Sequence, residues 1–309
     1  MWLPYIVGIF MGIADLIPGV SGGTIAFIMG VYERLINAIK GVGTKKGDLK
    51  FLLPLLLGIV TSILSFSHLL ESFLNDVLLR TYLYAAFMGM ILGSTLFCSK
   101  QIKVWSHSCM SALFIAMLFA LVLTGQLSLA ESLPAYSTLW ILFCGAIAIS
   151  AMLLPGISGS YLLTILGVYP VVLQNLNVLT GGLAKGSFEI AAIQFMVTLL
   201  VGILLGAVIF SRIVSFSLKH YHDLTISALT GFMLGGIPSV WPFWVYESVP
   251  HLLKPEKGSM LVPKEMILPD VFSQDFLFGV SFMALGFLWI MMAERIAARQ
   301  KSVTTTTLS

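Results

Sequence analysis

Ile17-Pro18-Gly19-Val20-Ser21-Gly22-Gly23 recurs 137 residues later as Leu154-Pro155-Gly156-Ile157-Ser158-Gly159-Ser160, and this repetition decides the fold. The register holds downstream, because Gly30-Val31-Tyr32 matches Gly167-Val168-Tyr169 at the same offset. Farther on, Gly89 and Gly93 match Gly231 and Gly235 at an offset of 142, so a small insertion lies between. A match this long marks a duplicated unit.

Each copy is set in apolar sequence. The chain has 309 residues, of which 58% are hydrophobic and 10% charged. A soluble domain carries about 25% charged residues, so most of this surface must face lipid. The apolar run Leu3–Ala14 makes roughly 18 Å of helix, about half a bilayer. The Pro-Gly-Val-Ser-Gly-Gly break then stops it, and a second helix is predicted over Thr24–Ile39. Together they describe a re-entrant hairpin over residues 3–39. The second copy, Trp140–Leu154 and Tyr161–Leu176, gives another over 140–176. Irregular backbone at membrane depth is tolerated only where protein buries it or it lines a cavity.

Three full spans are expected after each hairpin. They are Phe51–Leu74, Thr81–Phe97 and Ser111–Leu127, then Ile190–Phe210, Thr225–Trp241 and Val271–Ala293. A hairpin adds no net crossing, so each unit crosses three times and the two units run in opposite orientations, as in many secondary transporters. The expected fold is an all-α polytopic membrane protein of two inverted repeats, each a re-entrant helical hairpin plus three transmembrane helices. The first repeat covers residues 1–130 and the second 131–301. The second carries an outer loop over 242–270, with aromatic Trp241, Trp244 and Tyr246 suited to the interface. A polar tail, 302–309, is expected to be disordered.

Charge gives the orientation. Lys40, Lys45, Lys46, Lys50, Lys100, Lys103, Arg212, Lys219, Arg295, Arg299 and Lys301 fall on the side of the termini. Arg80, Lys185, Lys254, Lys257 and Lys264 fall opposite. By the positive-inside rule both termini are cytoplasmic. The net charge of +3 is small and unclustered, which excludes a nucleic-acid footprint. No cleaved signal peptide is expected. Cys98, Cys109 and Cys144 have no metal-ligand spacing and read as small hydrophobes. His220, His222 and Asp223 read as a solvated loop, so no metal site, catalytic residue or cofactor is expected.

The candidate substrate site lies at the two breaks. Helix N-termini expose unpaired N–H groups and partial positive charge, and Gly-rich backbone ahead of them can hold an anion. Ser21, Gly22, Gly23 and Thr24 form one tip, and Ser158, Gly159 and Ser160 the other. Inverted symmetry aims them at each other near mid-bilayer. The competing structural reading is of close-packing turns with capping serines. Asp15 lies three residues before the first break, and a carboxylate at that depth marks function by default. Its repeat equivalent is Met152. Asp15 is therefore a candidate for coupling to a proton or sodium ion; otherwise it bonds local amides. Glu33 and Arg34 fall near the cytoplasmic interface, as snorkelling residues or as a gate. His68 aligns with Arg212 and the pair can receive an anionic headgroup on each side. Tyr32 and Tyr169 read as packing residues.

Ile13-Ala14-Asp15-Leu16-Ile17-Pro18-Gly19-Val20-Ser21-Gly22-Gly23-Thr24, followed by Gly30-Val31-Tyr32-Glu33-Arg34, resembles the signature of a bacterial membrane family associated with polyprenyl-phosphate transport. Leu154 to Ser160 resembles its second signature, and the resemblance covers essentially the whole chain. It implies a flippase of the bacterial cytoplasmic membrane that returns undecaprenyl phosphate from the outer to the inner leaflet, recycling the lipid carrier for cell-envelope synthesis. The partners implied are the polyprenyl phosphate lipid and the bilayer. A site of amides and hydroxyls suits that lipid, because its chain stays in the membrane while only the phosphate needs a polar path. The alternatives are a channel or exchanger for a small soluble anion, and an intramembrane lipid-modifying enzyme. The enzyme would need a nucleophile and base, and the deep residues offer neither a His/Cys cluster nor an acidic pair.

Overall fold

The structure is a computed structural model and describes residues 2–15, 21–44, 47–125, 137–169, 171–172, 174–176, 178–179, 189–250, 259–270 and 272–306. Its helices are α1 (Trp2–Asp15), α2 (Gly22–Ile28), α3 (Tyr32–Lys40), α4 (Leu49–Asn75), α5 (Val77–Gln101), α6 (His107–Gly125), α7 (Thr138–Leu153), α8 (Gly159–Ile165), α9 (Ile190–His220), α10 (His222–Gly235) and α11 (Gln274–Thr306). A 3-10 turn, Ile237–Val240, follows α10, and strands β1 (Trp244–Pro250) and β2 (Ser259–Met266) precede α11. Polar caps set the long helices. The Asp48 carboxylate accepts from the Phe51 N–H at the start of α4, and Asp76 accepts from Leu78 and Leu79 at the start of α5. Ser137 caps α7 through the Trp140 N–H. Such caps satisfy N–H groups that a helix leaves without partners.

Among the described residues four helices are long and apolar enough to cross a membrane: Leu49–Phe66 within α4, all of α5, all of α9, and Gln274–Met292 within α11. Large apolar side chains stay exposed along them, among them Leu53, Leu57 and Leu64 on α4 and Val197, Leu204 and Ile213 on α9. Water would penalise that surface and lipid does not. α5 is the enclosed one: 56% of an apolar 18-residue stretch of it is buried, against 17% of one in α9.

Glycines bring the helices together in four pairs: α1 with α4, α7 with α9, α5 with α11, and α6 with α10. Gly8 approaches Leu55 and Gly58 while Gly12 approaches Ile59 and Ser62. In the second pair Gly202 meets Leu142 and Gly206 meets Ala146. Gly89 lies on Met283 and Gly93 on Phe287 and Ile290; Gly231 lies on Leu113 and Gly235 on Met117. Each pair uses glycines four residues apart, the small-residue seam by which membrane helices pack without a hydrophobic drive. In every pair the residue numbers rise together, so all four pairs run parallel.

The structure departs from expectation in the second arm of each hairpin. The helix predicted over Thr24–Ile39 is two helices, α2 and α3, hinged at Gly30. Gly30 has φ +68°, its N–H donates to the Phe27 carbonyl, and the Val31 N–H donates to Ala26. This pairing ends a helix with a left-handed residue, which glycine adopts without a Cβ penalty. The same motif ends α8, with Gly167 at φ +72° and the Val168 N–H on the Leu163 carbonyl. The expected span Thr225–Trp241 also ends early, at Gly235. Gly236 and Pro238 follow, and neither continues a helix. At roughly 21 Å, α10 falls short of a bilayer core of about 30 Å. α6 covers the expected span Ser111–Leu127 as far as Gly125, and 126–136 lie outside the described residues.

The segment 242–270 contains strand as well as coil, so the fold is helical except for one hairpin among the described residues. β1 and β2 pair antiparallel from Trp244↔Met266 to Pro250↔Ser259, with an irregularity at Val245/Tyr246. The Ile267 N–H donates to the Phe243 carbonyl, and the Trp241 indole N–H donates to the Ile267 carbonyl. Phe243 is buried against Phe276 and beside Gly279, which fastens the hairpin base to the start of α11. At the other end of the chain α11 continues through Ser302 to Thr306, where a disordered tail was expected. No glycine or proline interrupts it after Gly286, so propagation carries it on.

Candidate functional site

The two breaks meet. Ser21 caps α2 by accepting from the Gly23 N–H at 3.1 Å, and its own hydroxyl donates to the Met152 carbonyl at 2.7 Å, at the end of α7. Thr24, 2% exposed, accepts from the Gly156 N–H at 2.9 Å. Gly156 itself has φ +86° and packs on Phe232 and Met233 at the end of α10, with Gly236 against its carbonyl. The first tip, the second tip and the end of α10 therefore form one polar junction enclosed by apolar helices. Among the described residues the Ser21, Thr24 and Ser158 side chains there all have partners, as a low-dielectric interior requires.

Close packing explains the glycines at the tips. A Cβ on Gly22 would lie 2.7 Å from an Asp15 carboxylate oxygen, and one on Gly23 would lie 2.7 Å from the Met152 carbonyl. On Gly159 it would lie 2.5 Å from the Ala148 carbonyl. Bulkier residues at these positions would push the arms apart whether or not a ligand binds. The hydroxyls differ in access. Ser21 and Thr24 are buried and engaged between the tips, whereas Ser158 and Ser160 share a hydrogen bond at 2.9 Å and Ser160 is exposed. The second tip is the open side of the junction. With only seven residues each, α2 and α8 supply local N–H groups rather than the dipole of a full half-helix.

Asp15 reaches the junction from the end of α1. Its Oδ1 accepts from the Gly22 N–H at 2.7 Å. The equivalent contact in the second copy is between Gly159 and Met152, so one tip carries a carboxylate where the other carries a thioether. The remaining sequence candidates lie elsewhere. Glu33 and Arg34 are exposed on α3; the Arg34 guanidinium is paired with Asp48 at 2.8 Å and lies over the Phe51 ring. Arg34 thus ties α3 to the start of α4. Arg212 is exposed on α9. His68 lies in α4, and its side chain falls outside the described residues. Among the described residues no group of three or more His, Cys, Asp or Glu is placed to hold a metal ion. Cys98, Cys109 and Cys144 are buried thiols.

Several contacts of residues named in the sequence appear only in the structure. Lys40 donates to the Ser215 hydroxyl, which donates to Asn37, joining α3 to α9. The Tyr32 ring packs on Phe27, and its buried hydroxyl has no hydrogen-bond partner among the described residues. Arg80 is buried in the first turn of α5. Tyr32 packs as its sequence reading expects and Arg80 is a charge at the head of an apolar run, whereas the Lys40–Ser215–Asn37 link carries no local signal.

Residues 11–254 match the model of the VCA0040-like family, described as undecaprenyl phosphate translocase-like. The chain belongs to this family. A protein of Vibrio cholerae serotype O1 named polyprenyl-phosphate transporter is 35% identical over 254 residues, covering 77% of each chain. One of Staphylococcus aureus with the same name is 31% identical over 252 residues, covering 78% of this chain and 86% of its own. No solved structure matches the chain.

Proposed function

We propose that this protein moves a polyprenyl phosphate, undecaprenyl phosphate in bacteria, from the outer to the inner leaflet of the cytoplasmic membrane, and so recycles the lipid carrier for envelope synthesis. The observation that carries it is the junction of the two tips, a cluster of amides and hydroxyls with one carboxylate, inside a family whose named relatives are polyprenyl-phosphate transporters. The phosphate would enter from the side of Ser158 and Ser160, and the Ser21 and Thr24 hydroxyls would exchange tip-to-tip bonds for bonds to it. Asp15, a carboxylate held on a tip amide, would couple this exchange to a proton or sodium ion.

The inverted arrangement belongs to the same proposal. α1 is a half-length helix and runs parallel to α4, so α2 and α3 return the chain to the side on which α1 began. α7 and α9 repeat this relation. With α5 parallel to α11 and α6 parallel to α10, repeats 1–130 and 131–301 fit opposite orientations, with re-entrant hairpins meeting at mid-bilayer and both termini cytoplasmic. A cysteine placed at Lys264 should then react with an impermeant reagent from outside, and one at Thr44 only from inside. The reverse pattern refutes the orientation. For the function, purified protein in liposomes should move labelled undecaprenyl phosphate between leaflets faster than protein-free vesicles. Flux of chloride or inorganic phosphate without lipid movement would instead identify a soluble-anion pathway.

A further inference from the structure

Polar contacts tie α3 to a long helix on either side. Arg34 pairs with Asp48 at the head of α4, while Asn37 and Lys40 reach Ser215 of α9. The Lys40 ammonium donates to the Ser215 hydroxyl at 3.0 Å, and that hydroxyl donates to the Asn37 amide oxygen at 2.8 Å. Ser215 is buried, whereas Asn37 and Lys40, one turn apart on α3, are exposed. The node is therefore backed by α9 and open on the α3 side. A lysine that only anchors a helix at the interface extends its ammonium toward water. This one turns it onto a buried hydroxyl 175 residues away, in the second copy of the repeat.

The node is a set of donors in an electropositive setting. An ammonium has three N–H groups, the Asn37 amide adds two, and a hydroxyl can turn to donate elsewhere. A bond to a neutral hydroxyl leaves the lysine charge uncompensated by that contact, as an ion pair would not. The last ten residues of α9, Ser211–His220, include Arg212, Lys219 and His220 and no acid. Glu33, the acid of α3, stands seven residues before Lys40, roughly 10 Å along the helix. The hairpin offset of 137, and the offset of 144 that aligns His68 with Arg212, match Asn37, Lys40 and Ser215 to Gln174, Asn177 and Glu71. The second set has no cation and includes a carboxylate, so the first is the one suited to an anion.

We infer that Lys40, Asn37 and Ser215 form a subsite for a phosphate monoester, which holds the carrier headgroup on the cytoplasmic side of the tips. This rests on the transport reading and orientation above. Ser215 stands five residues, roughly 8 Å, before the end of α9 that the orientation makes cytoplasmic. A phosphate oxygen would replace the Ser215 oxygen on the ammonium, and the freed hydroxyl and the Asn37 amide N–H groups would donate to the others. That exchange also undoes the link between α3 and α9, so arrival of the headgroup loosens the helix beside its exit. With the cation in one copy of the repeat and a carboxylate in the other, the headgroup is retained on the inner side.

The test treats full-length wild-type protein in nanodiscs with an amine-reactive reagent and maps the modified lysines by mass spectrometry. Undecaprenyl phosphate should slow modification of Lys40 several-fold and undecaprenol should not, while Lys100, near the end of α5, responds to neither. No protection of Lys40, or equal protection by the alcohol, overturns the inference. Equal protection by inorganic phosphate at the same concentration assigns the node to the free ion and overturns the headgroup assignment. In binding, Lys40→Gln should weaken affinity for the phosphate lipid roughly 10-fold, the low end for a hydrogen bond to a charged group because Lys40 is exposed. Lys40→Arg should restore most of that loss, and neither variant should change undecaprenol affinity. A Lys40→Gln protein that keeps wild-type phosphate affinity, or loses both lipids equally, refutes the subsite; the labelling needs no variant, so a folding defect leaves it decisive. Wild-type protein that moves no labelled undecaprenyl phosphate in liposomes sinks the transport reading, whereas protein that moves the lipid but fails the labelling test loses this subsite alone.

Discussion

Replacing Thr24 by Val removes one oxygen from the junction and nearly preserves its shape. Thr24 is 2% exposed, and its oxygen is the acceptor for the Gly156 N–H at 2.9 Å. Valine leaves that N–H buried without a partner, a loss of about 1–3 kcal/mol. At roughly 2–4 °C per kcal/mol for a chain of this order of size, the melting temperature should fall by several degrees. The sharper readout is hydrogen exchange. The bond joins residues 132 apart in sequence, so exchange at Gly156 should accelerate although the substitution lies in the other tip. Thr24→Ser keeps the acceptor and loses one methyl, about 1 kcal/mol, so it should melt lower while Gly156 stays protected. Gly156 exchange in Thr24→Val equal to that of the wild type would refute the tip-to-tip junction, and with it the site built on it.

Asp15→Asn retains an oxygen that can accept from the Gly22 N–H while removing the charge, so the protein should fold normally and transport should lose its dependence on pH or sodium; unchanged dependence would leave Asp15 structural. Gly30 has φ +68° with nothing within 4 Å of an added Cβ, so Gly30→Ala should cost about 1–2 kcal/mol from backbone strain alone and Gly30→Asn less, read by thermal unfolding. Arg34→Ala breaks an ion pair whose arginine is 57% exposed, and should shift stability by less than about 1 kcal/mol, as a double-mutant cycle with Asp48→Ala would measure. Ser158→Ala together with Ser160→Ala removes the hydroxyl pair of the second tip, and should weaken binding of undecaprenyl phosphate but not of undecaprenol.

The duplicated Pro-Gly-x-Ser-Gly motif, the apolar bulk and the half-length α1 were legible because each is a property of neighbours in the chain. Apolarity selects lipid over water residue by residue, and a proline-glycine break stops a helix wherever it stands. The hinges at Gly30 and Gly167 were also written there, in the Gly-Val-Tyr match. A left-handed cap and a packing glycine look alike in sequence, so the match alone does not mark them as hinges. What the tertiary structure alone decided is the partner of each polar group. Ser21 and Thr24 read as donors awaiting a ligand, yet their bonds go to Met152 and Gly156, 131 and 132 residues away. Asp15 gained its amide only because the first tip folds back on α1, and Arg80 became buried only because α5 is the enclosed helix. A side chain's chemistry is local, but its desolvation and its bonding partner are set by whatever the fold packs against it.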